Sequence, residues 1–523
     1  MRNFHLPGRS AVFAENGLAA TSHPLASATA IEILKNGGNA MDAAIGAAFL
    51  LGVCEPHMTG IGGDCFALYS LPGTDEVLGM NGSGRAPAGS DAEHLRSAGH
   101  SKMPEDHPAS VTIPGAVDAF CKLNAMHGSK PLAEIMAPAI HYAEVGVPVA
   151  PRVASDWIGA LKNLQGSAKS LYSINGQAPQ PGDRFAMPKQ KEALERIARD
   201  GRAGFYEGPV AEDMITSLRA LGGTHTLEDF AQNTPTPTTP VSSSYGPYEL
   251  MEHPPNGQGI IATLMLNMLK NFDLSKFDPF GSERTHIEIE AAKLAYDARD
   301  RYLADGMQNA DHLLSQDTAD ALANMIDPKR ALDLSTGLTG SVHKDTVYLC
   351  VVDKDRFAVS LIYSVFKSFG SGIASDKYGI LLHNRGAGFS LSPDHPNEIA
   401  PGKRPMHTII PAVLRHQGKV IMPFGVMGGQ YQANGHARFV TNLVDFDMGP
   451  QAAIDGPRSF PEFGKLQLED GYGVGVKTTL SELGHSIVEP DTAIGGAQAI
   501  RIHDNGMLEG ASDPRKDGCA LGY

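Results

Sequence analysis

The sequence predicts an α+β protein, and three stretches carry that expectation. Residues 27–54 have the pattern of two helices joined by Asn36-Gly37-Gly38-Asn39. Glu283 to Ala304 sets Ile287, Ala291, Leu294 and Ala298 on one helical face with charged residues between them. Thr346 to Asp353 and Phe357 to Ser364 are β-branched and aromatic runs around Lys354-Asp355-Arg356, the pattern of a hairpin with a buried face.

Taken in order, the first helix, about Ser27 to Lys35, carries Ala30, Ile31 and Leu34 and stops where Gly37 lets the chain turn. The second, about Ala40 to Val53, is rich in small residues and packs closely on both sides. The loop from Glu55 to Asp64 leads into a strand, Cys65 to Ser70. From about Pro131 to Arg330 the chain is mostly helical, with a loop at Asn233 to Pro240 before a strand at Tyr248 to Glu252. Beyond Pro328 the residues turn small, polar and Gly-containing, so 331–345 is expected to be a flexible segment running straight into the strand that starts with Thr346.

The 523 residues are 42% hydrophobic and 19% charged, enough for a sizeable core. Lys and Arg number 43 against 58 Asp and Glu, a net charge of −15, which argues against nucleic acid or an anionic membrane as partner. Five Cys without CxxC spacing suggest neither a disulfide framework nor a zinc cluster, and no cofactor is implied. The N-terminus lacks a continuous apolar run, and the longest apolar stretch, Ala43 to Cys54, is too short to span a bilayer. The expectation is a cytoplasmic protein, or a periplasmic one if a leader has been removed.

A Thr at the start of a core strand, behind a flexible approach, has a chemical use. Cutting the peptide bond before it frees an α-amine with a pKa of about 7.7–8.0, which can take the proton of the Thr hydroxyl and make it a nucleophile. Periodicity alone leaves an ordinary strand-initiating Thr as the plainer reading. The motifs around it decide otherwise: Thr21-Ser-His-Pro-Leu-Ala-Ser27 with Asn36-Gly-Gly-Asn-Ala-Met-Asp-Ala-Ala44, then Pro56 to Gly63 (PHMTGIGG), Val111 to Gly115, Phe205 to Gly208, Pro254 to Gly257, Glu290 to Tyr296, Phe369 to Gly372, Met427 to Gly429, and Ala511 to Gly518. In this order and over nearly the whole chain, they resemble the γ-glutamyltranspeptidase family.

The resemblance implies a four-layer αββα sandwich of the N-terminal nucleophile hydrolases, made as one precursor that cuts itself between Asp345 and Thr346. Residues 1–345 would form a large subunit and 346–523 a small one, both in one shared domain; pairing of two such heterodimers is left open. Thr346 takes the place of the nucleophile. Ser364 stands where the family has an assisting Thr, unless it is only a strand Ser. Gly428 and Gly429 match the pair whose N–H groups form the oxyanion hole, unless they form a plain turn. Arg85 matches the Arg that grips a substrate carboxylate, unless it is a surface Arg.

Departures from the family cluster in the substrate pocket. Arg385 replaces a Gln, Gly388 replaces the Asp that binds an α-ammonium, Phe366 replaces an Asn, and Arg404-Pro405 replaces paired serines ahead of His407. The expected pocket therefore holds up to three Arg and no obvious anion for an ammonium, unless Arg385 and Arg404 pair with internal acids. The pattern is similar to the branch of glutathione-hydrolase-like proteins, cephalosporin or glutaryl acylases and oxamate amidohydrolases. The implied substrate is a small amide carrying a carboxylate, as a γ-glutamyl compound or as one lacking the α-amine. Among rivals, a metal hydrolase is disfavoured because none of the 20 His stands in HExxH spacing, and a serine hydrolase because no GxSxG joins strand to helix. A non-catalytic binding protein of the same fold is the alternative from another class.

Overall fold

The computed structural model describes residue 5, residues 8–334 and residues 346–523. Strands β1 (Val12–Ala14) and β2 (Gly17–Ala20) precede helices α1 (Pro24–Lys35) and α2 (Ala40–Cys54). Next come β3 (Asp64–Ser70) and β4 (Leu78–Gly82), a largely helical stretch, and β5 (Thr236–Thr238), β6 (Val241–Tyr245) and β7 (Tyr248–Glu252). Helices α3 (Gly259–Leu269) and α4 (Ser282–Tyr302) lead to β8 (Val347–Asp353) and β9 (Ala358–Ser364). Then follow β10 (Ala412–His416), β11 (Lys419–Met427), α5 (Gln432–Val444), β12 (Gly496–Ile502), β13 (Leu508–Ser512) and β14 (Ala520–Gly522).

These fourteen strands make two seven-stranded sheets, ordered β14-β2-β8-β9-β3-β4-β5 and β1-β13-β12-β11-β10-β7-β6. Side chains alternate along a strand, and β8 shows what the alternation builds. Val347, Leu349 and Val351 join the core shared with α1 and α2, whereas Tyr348, Cys350 and Val352 join Leu18, Phe66, Ile362, Met427 and Ile500 between the sheets. A third apolar layer sets Leu264 and Tyr296, from α3 and α4, against Leu414, Phe424 and Val426 of the second sheet. Three apolar layers separate four layers of structure, and the fold is the αββα sandwich expected.

Helix α1 begins at Pro24, earlier than its apolar spacing suggests, because His23 caps it: the ring Nδ1 accepts from the Leu25 N–H at 3.3 Å, and Pro occupies the first turn. Helix α4 departs further from expectation. Besides its apolar face it buries Arg284, Glu288, Glu290 and Arg299, since it is enclosed on several sides. The charges are met internally: Arg284 reaches Glu288 at 2.8 Å and Lys293 reaches Glu290 at 2.7 Å. The expected segment 331–345 lies mostly outside the described residues. At its start, the Ala331 N–H donates to Leu483 O and the Leu332 N–H to Glu290.

Candidate active site

Register alone brings the first two site residues together. Val347 pairs with Tyr363 and Tyr348 with Ile362, so the next step along the hairpin sets Thr346 opposite Ser364. Both have the parity of Tyr348 and Ile362 and point between the sheets. The Thr346 hydroxyl donates to Ser364 Oγ over 3.4 Å, a long contact, and Ser364 Oγ also accepts from the Phe366 N–H at 2.8 Å. Thr346 and Ser364 are both buried. Asp345, the other half of the expected cleavage point, lies outside the described residues.

The turn Gly428-Gly429 follows β11, which crosses β8. A Cβ on Gly425 would strike the Tyr348 ring at 2.4 Å, so Thr346 and Gly428 each lie within three residues of one cross-sheet contact. Gly428 has φ +125° and Gly429 φ +55°, conformations that side chains rarely adopt, and a Cβ on Gly428 would lie 2.9 Å from Gly495 Cα.

Arg385 approaches the same hydroxyl. Its Nη2 donates to Ser364 Oγ at 3.2 Å and its Nη1 to Thr408 Oγ1 at 3.1 Å, while the guanidinium lies 4.1 Å above the Phe366 ring. Phe366 holds that ring in place with a strained φ of +79°. Arg385 is fully buried, its Nε has no hydrogen-bond partner, and no carboxylate among the described residues forms an ion pair with it. Burial pushes its pKa down and the charge on Asp64 opposes this, but a guanidinium stays protonated at neutral pH.

The other two arginines go elsewhere. Arg85, with 39% of its side chain exposed, donates to Gly402 O at 2.9 Å and lies 3.6 Å from Asp305. The Arg404 N–H donates to Asp305 at 2.9 Å, and its guanidinium donates to Ser83 O, Thr234 O and Thr236 Oγ1. Asp305 thus pairs with Arg85 and accepts the Arg404 main-chain N–H, whereas the Arg404 guanidinium is held by uncharged oxygens. Gly388 does leave its loop without a side chain, and none fits: a Cβ there would lie 2.6 Å from Met406 O. His407 faces inward, with Nε2 3.3 Å from Asp64 and the ring packed on Phe66, and burial lowers its pKa to about 3.

Asp64 is the residue that sequence reasoning passed over. It pairs with Ser364 in the register of β3 and β9, so Asp64, Ser364 and Thr346 form one row across three neighbouring strands. The available signal was a lone acid between Gly62-Gly63 and an apolar strand. Away from this row, His286, Glu290 and His485 bring ligand atoms within 4.8 Å of one another. There His286 Nδ1 and His485 Nε2 already bond at 2.8 Å, and the Lys293 ammonium takes Glu290, so the trio is better described as an internal polar network.

With this geometry in place, the likeness to known proteins is specific. The family description Gamma-glutamyltranspeptidase matches residues 26–523. A glutathione hydrolase-like proenzyme of Bacillus subtilis is 35% identical, covering 97% of this chain and 98% of the relative. The oxamate amidohydrolase proenzyme of Klebsiella pneumoniae is 34% identical over the same shares. The crystal structure of cephalosporin acylase from Bacillus halodurans superposes with a TM-score of 0.93 at 37% identity, covering 100% of this chain and 99% of that one. No helix among the described residues is long and apolar enough to cross a membrane. The chain belongs to the gamma-glutamyltranspeptidase family and is a hydrolytic enzyme.

Proposed function

We propose that the chain is cut before Thr346 and that Thr346 then hydrolyses a small amide whose acyl group carries a carboxylate next to the scissile carbonyl and no α-amine, as in oxamate. The observation that carries this reading is Arg385, a buried guanidinium without a contact carboxylate, bonded to the hydroxyl that Thr346 also reaches. Guanidinium and nucleophile are two hydrogen bonds apart, a spacing that suits a carboxylate directly attached to the carbonyl under attack. An ammonium there would face Arg385 and find a bare loop at Gly388.

In this scheme the freed α-amine takes the Thr346 hydroxyl proton as the oxygen attacks the amide carbon, and the N–H groups of Gly428 and Gly429 meet the oxyanion. The amine returns the proton to the departing nitrogen, which leaves as ammonia or a free amine. Water, deprotonated by the same amine, opens the acyl ester and releases the dicarboxylate. Ser364 orients the nucleophile. A second reading, a glutaryl amide, is favoured by the likeness to cephalosporin acylase.

The test combines intact-mass measurement with ammonia release. A fragment beginning at Thr346 and turnover of oxamate are expected, with Thr346→Ala both uncut and inactive. Cleavage at another hydroxyl residue, or turnover of glutaryl amides but not oxamate, rejects the corresponding half of the proposal.

A further inference from the structure

The row across β8, β9 and β3 ends in a carboxylate that the scheme above does not use. Asp64 is fully buried and stands one strand from Ser364 and two from Thr346, roughly 5 and 10 Å along the sheet. Its Oδ1 accepts from the Gly84 N–H at 3.1 Å and the Gly115 N–H at 3.0 Å; its Oδ2 lies 3.3 Å from His407 Nε2 and 3.4 Å from His383 Nδ1. These contacts clamp the carboxylate in place.

Arg385 stands over the same row, and two short bridges tie it to Asp64. One is Ser364, the strand partner of Asp64, whose hydroxyl receives Arg385 Nη2. The other is His407-Thr408, in which the ring faces Asp64 and the next hydroxyl receives Arg385 Nη1. Burying a guanidinium far from any anion is strongly disfavoured. A contact ion pair would remedy that but would occupy the donors that a substrate carboxylate needs. A carboxylate set back by one side chain resolves the conflict, because Coulomb attraction acts across the gap whereas a hydrogen bond needs contact.

We propose that Asp64 is a positioning, specificity-determining residue that holds Arg385 in place and aimed from behind Ser364, leaving the guanidinium's remaining donors to the substrate carboxylate. This rests on Arg385 being the group that takes that carboxylate. The carboxyl is in the ionised form the role requires: burial works to raise its pKa, but His383, His407 and Arg385 together hold it below the ordinary value.

Two double-mutant cycles over Asp64→Asn and Arg385→Gln test it. Asn keeps an oxygen for the Gly84 and Gly115 N–H groups. With oxamate as substrate, Asp64→Asn is expected to raise KM at least tenfold while kcat changes less than threefold, and the double variant to be no worse than Arg385→Gln alone. Losses that multiply, or a fall in kcat at constant KM, overturn the proposal. The second cycle reads thermal midpoints in uncut Thr346→Ala precursor, where no turnover is needed. Asp64→Asn should lower the midpoint clearly with Arg385 present and much less when combined with Arg385→Gln; equal drops mean that Asp64 serves His383 and overturn the proposal. Wild-type protein that leaves oxamate untouched rejects the substrate reading, and the thermal cycle still decides the coupling.

Discussion

Arg284 and Arg385 are both enclosed guanidinium groups, yet their surroundings differ. Arg284 has Glu288 at 2.8 Å, Thr441 Oγ1 at 2.8 Å, Pro279 O at 2.6 Å and the Phe446 ring at 4.4 Å, and Glu288 also binds Arg438. Arg385 has two hydroxyls, a ring and an unpartnered Nε, with its nearest acid set back behind Ser364. The first set is closed and has nothing left to offer. The second keeps an Nε without a partner, and a buried cation with an open donor is a candidate site for an anionic ligand.

Exchanging the substrate is the strongest way to break that contrast. If the open side of Arg385 selects a carboxylate and opposes an ammonium, kcat/KM for γ-glutamyl amides and glutathione should fall below that for oxamate by about two to four orders of magnitude. Equal rates, measured side by side, would mean that other residues hold the ammonium. Next in size is the crossed pair of substitutions. Glu288→Gln strands two arginines and should cost about 3–5 kcal/mol of stability in denaturant unfolding. Arg385→Gln should leave the unfolding midpoint near that of wild type while lowering kcat/KM for oxamate about a hundredfold or more. The reverse pattern would make Arg385 the structural charge.

A smaller effect sharpens the electrostatics. Below the pKa of the freed α-amine the rate should fall about tenfold per pH unit, because the ammonium form of Thr346 cannot take a proton. A cationic Arg385 near the proposed α-amine would disfavour its ammonium form, so Arg385→Gln should move the rising limb upward, toward about 8. An unmoved limb would show that Arg385 lies outside the amine's field. The smallest effect is Phe366→Leu, which removes a ring contact worth about 0.5–2 kcal/mol and should raise KM for oxamate roughly 2- to 30-fold. An unchanged KM would show that the ring does not help to aim the guanidinium.

What the sequence revealed follows the range of the interactions involved. The hairpin, the two small-residue helices and the Thr346–Ser364 pairing depend on alternation and turns within some twenty residues, and they are legible. The glycine turn was legible through its motif as a turn, and its role, like that of the rewritten loop, belongs to the proposal. Asp305 accepting the Arg404 main-chain N–H and Asp64 pairing with Ser364 were not, since each joins residues about a hundred or several hundred positions apart. Helix α4 misled in another way: its charges predict a wet face, but Arg284, Glu288, Glu290 and Arg299 are buried and find partners elsewhere in the chain that periodicity cannot see.

The order of strands has a kinetic consequence for a protein cut before β8. The hairpin β8-β9 lies inside its sheet, between β2 and β3, and β10 borders β7 in the other. Neither piece can slide out without breaking the ladders on both sides, so separation and unfolding become one event. A precursor refolds as a single molecule, at a rate independent of dilution. The cut form has to find its counterpart again, so its recovery after denaturation should depend on concentration and fade in dilute solution. Cleavage would thus turn a reversible fold into one maintained chiefly by the slowness of its own opening.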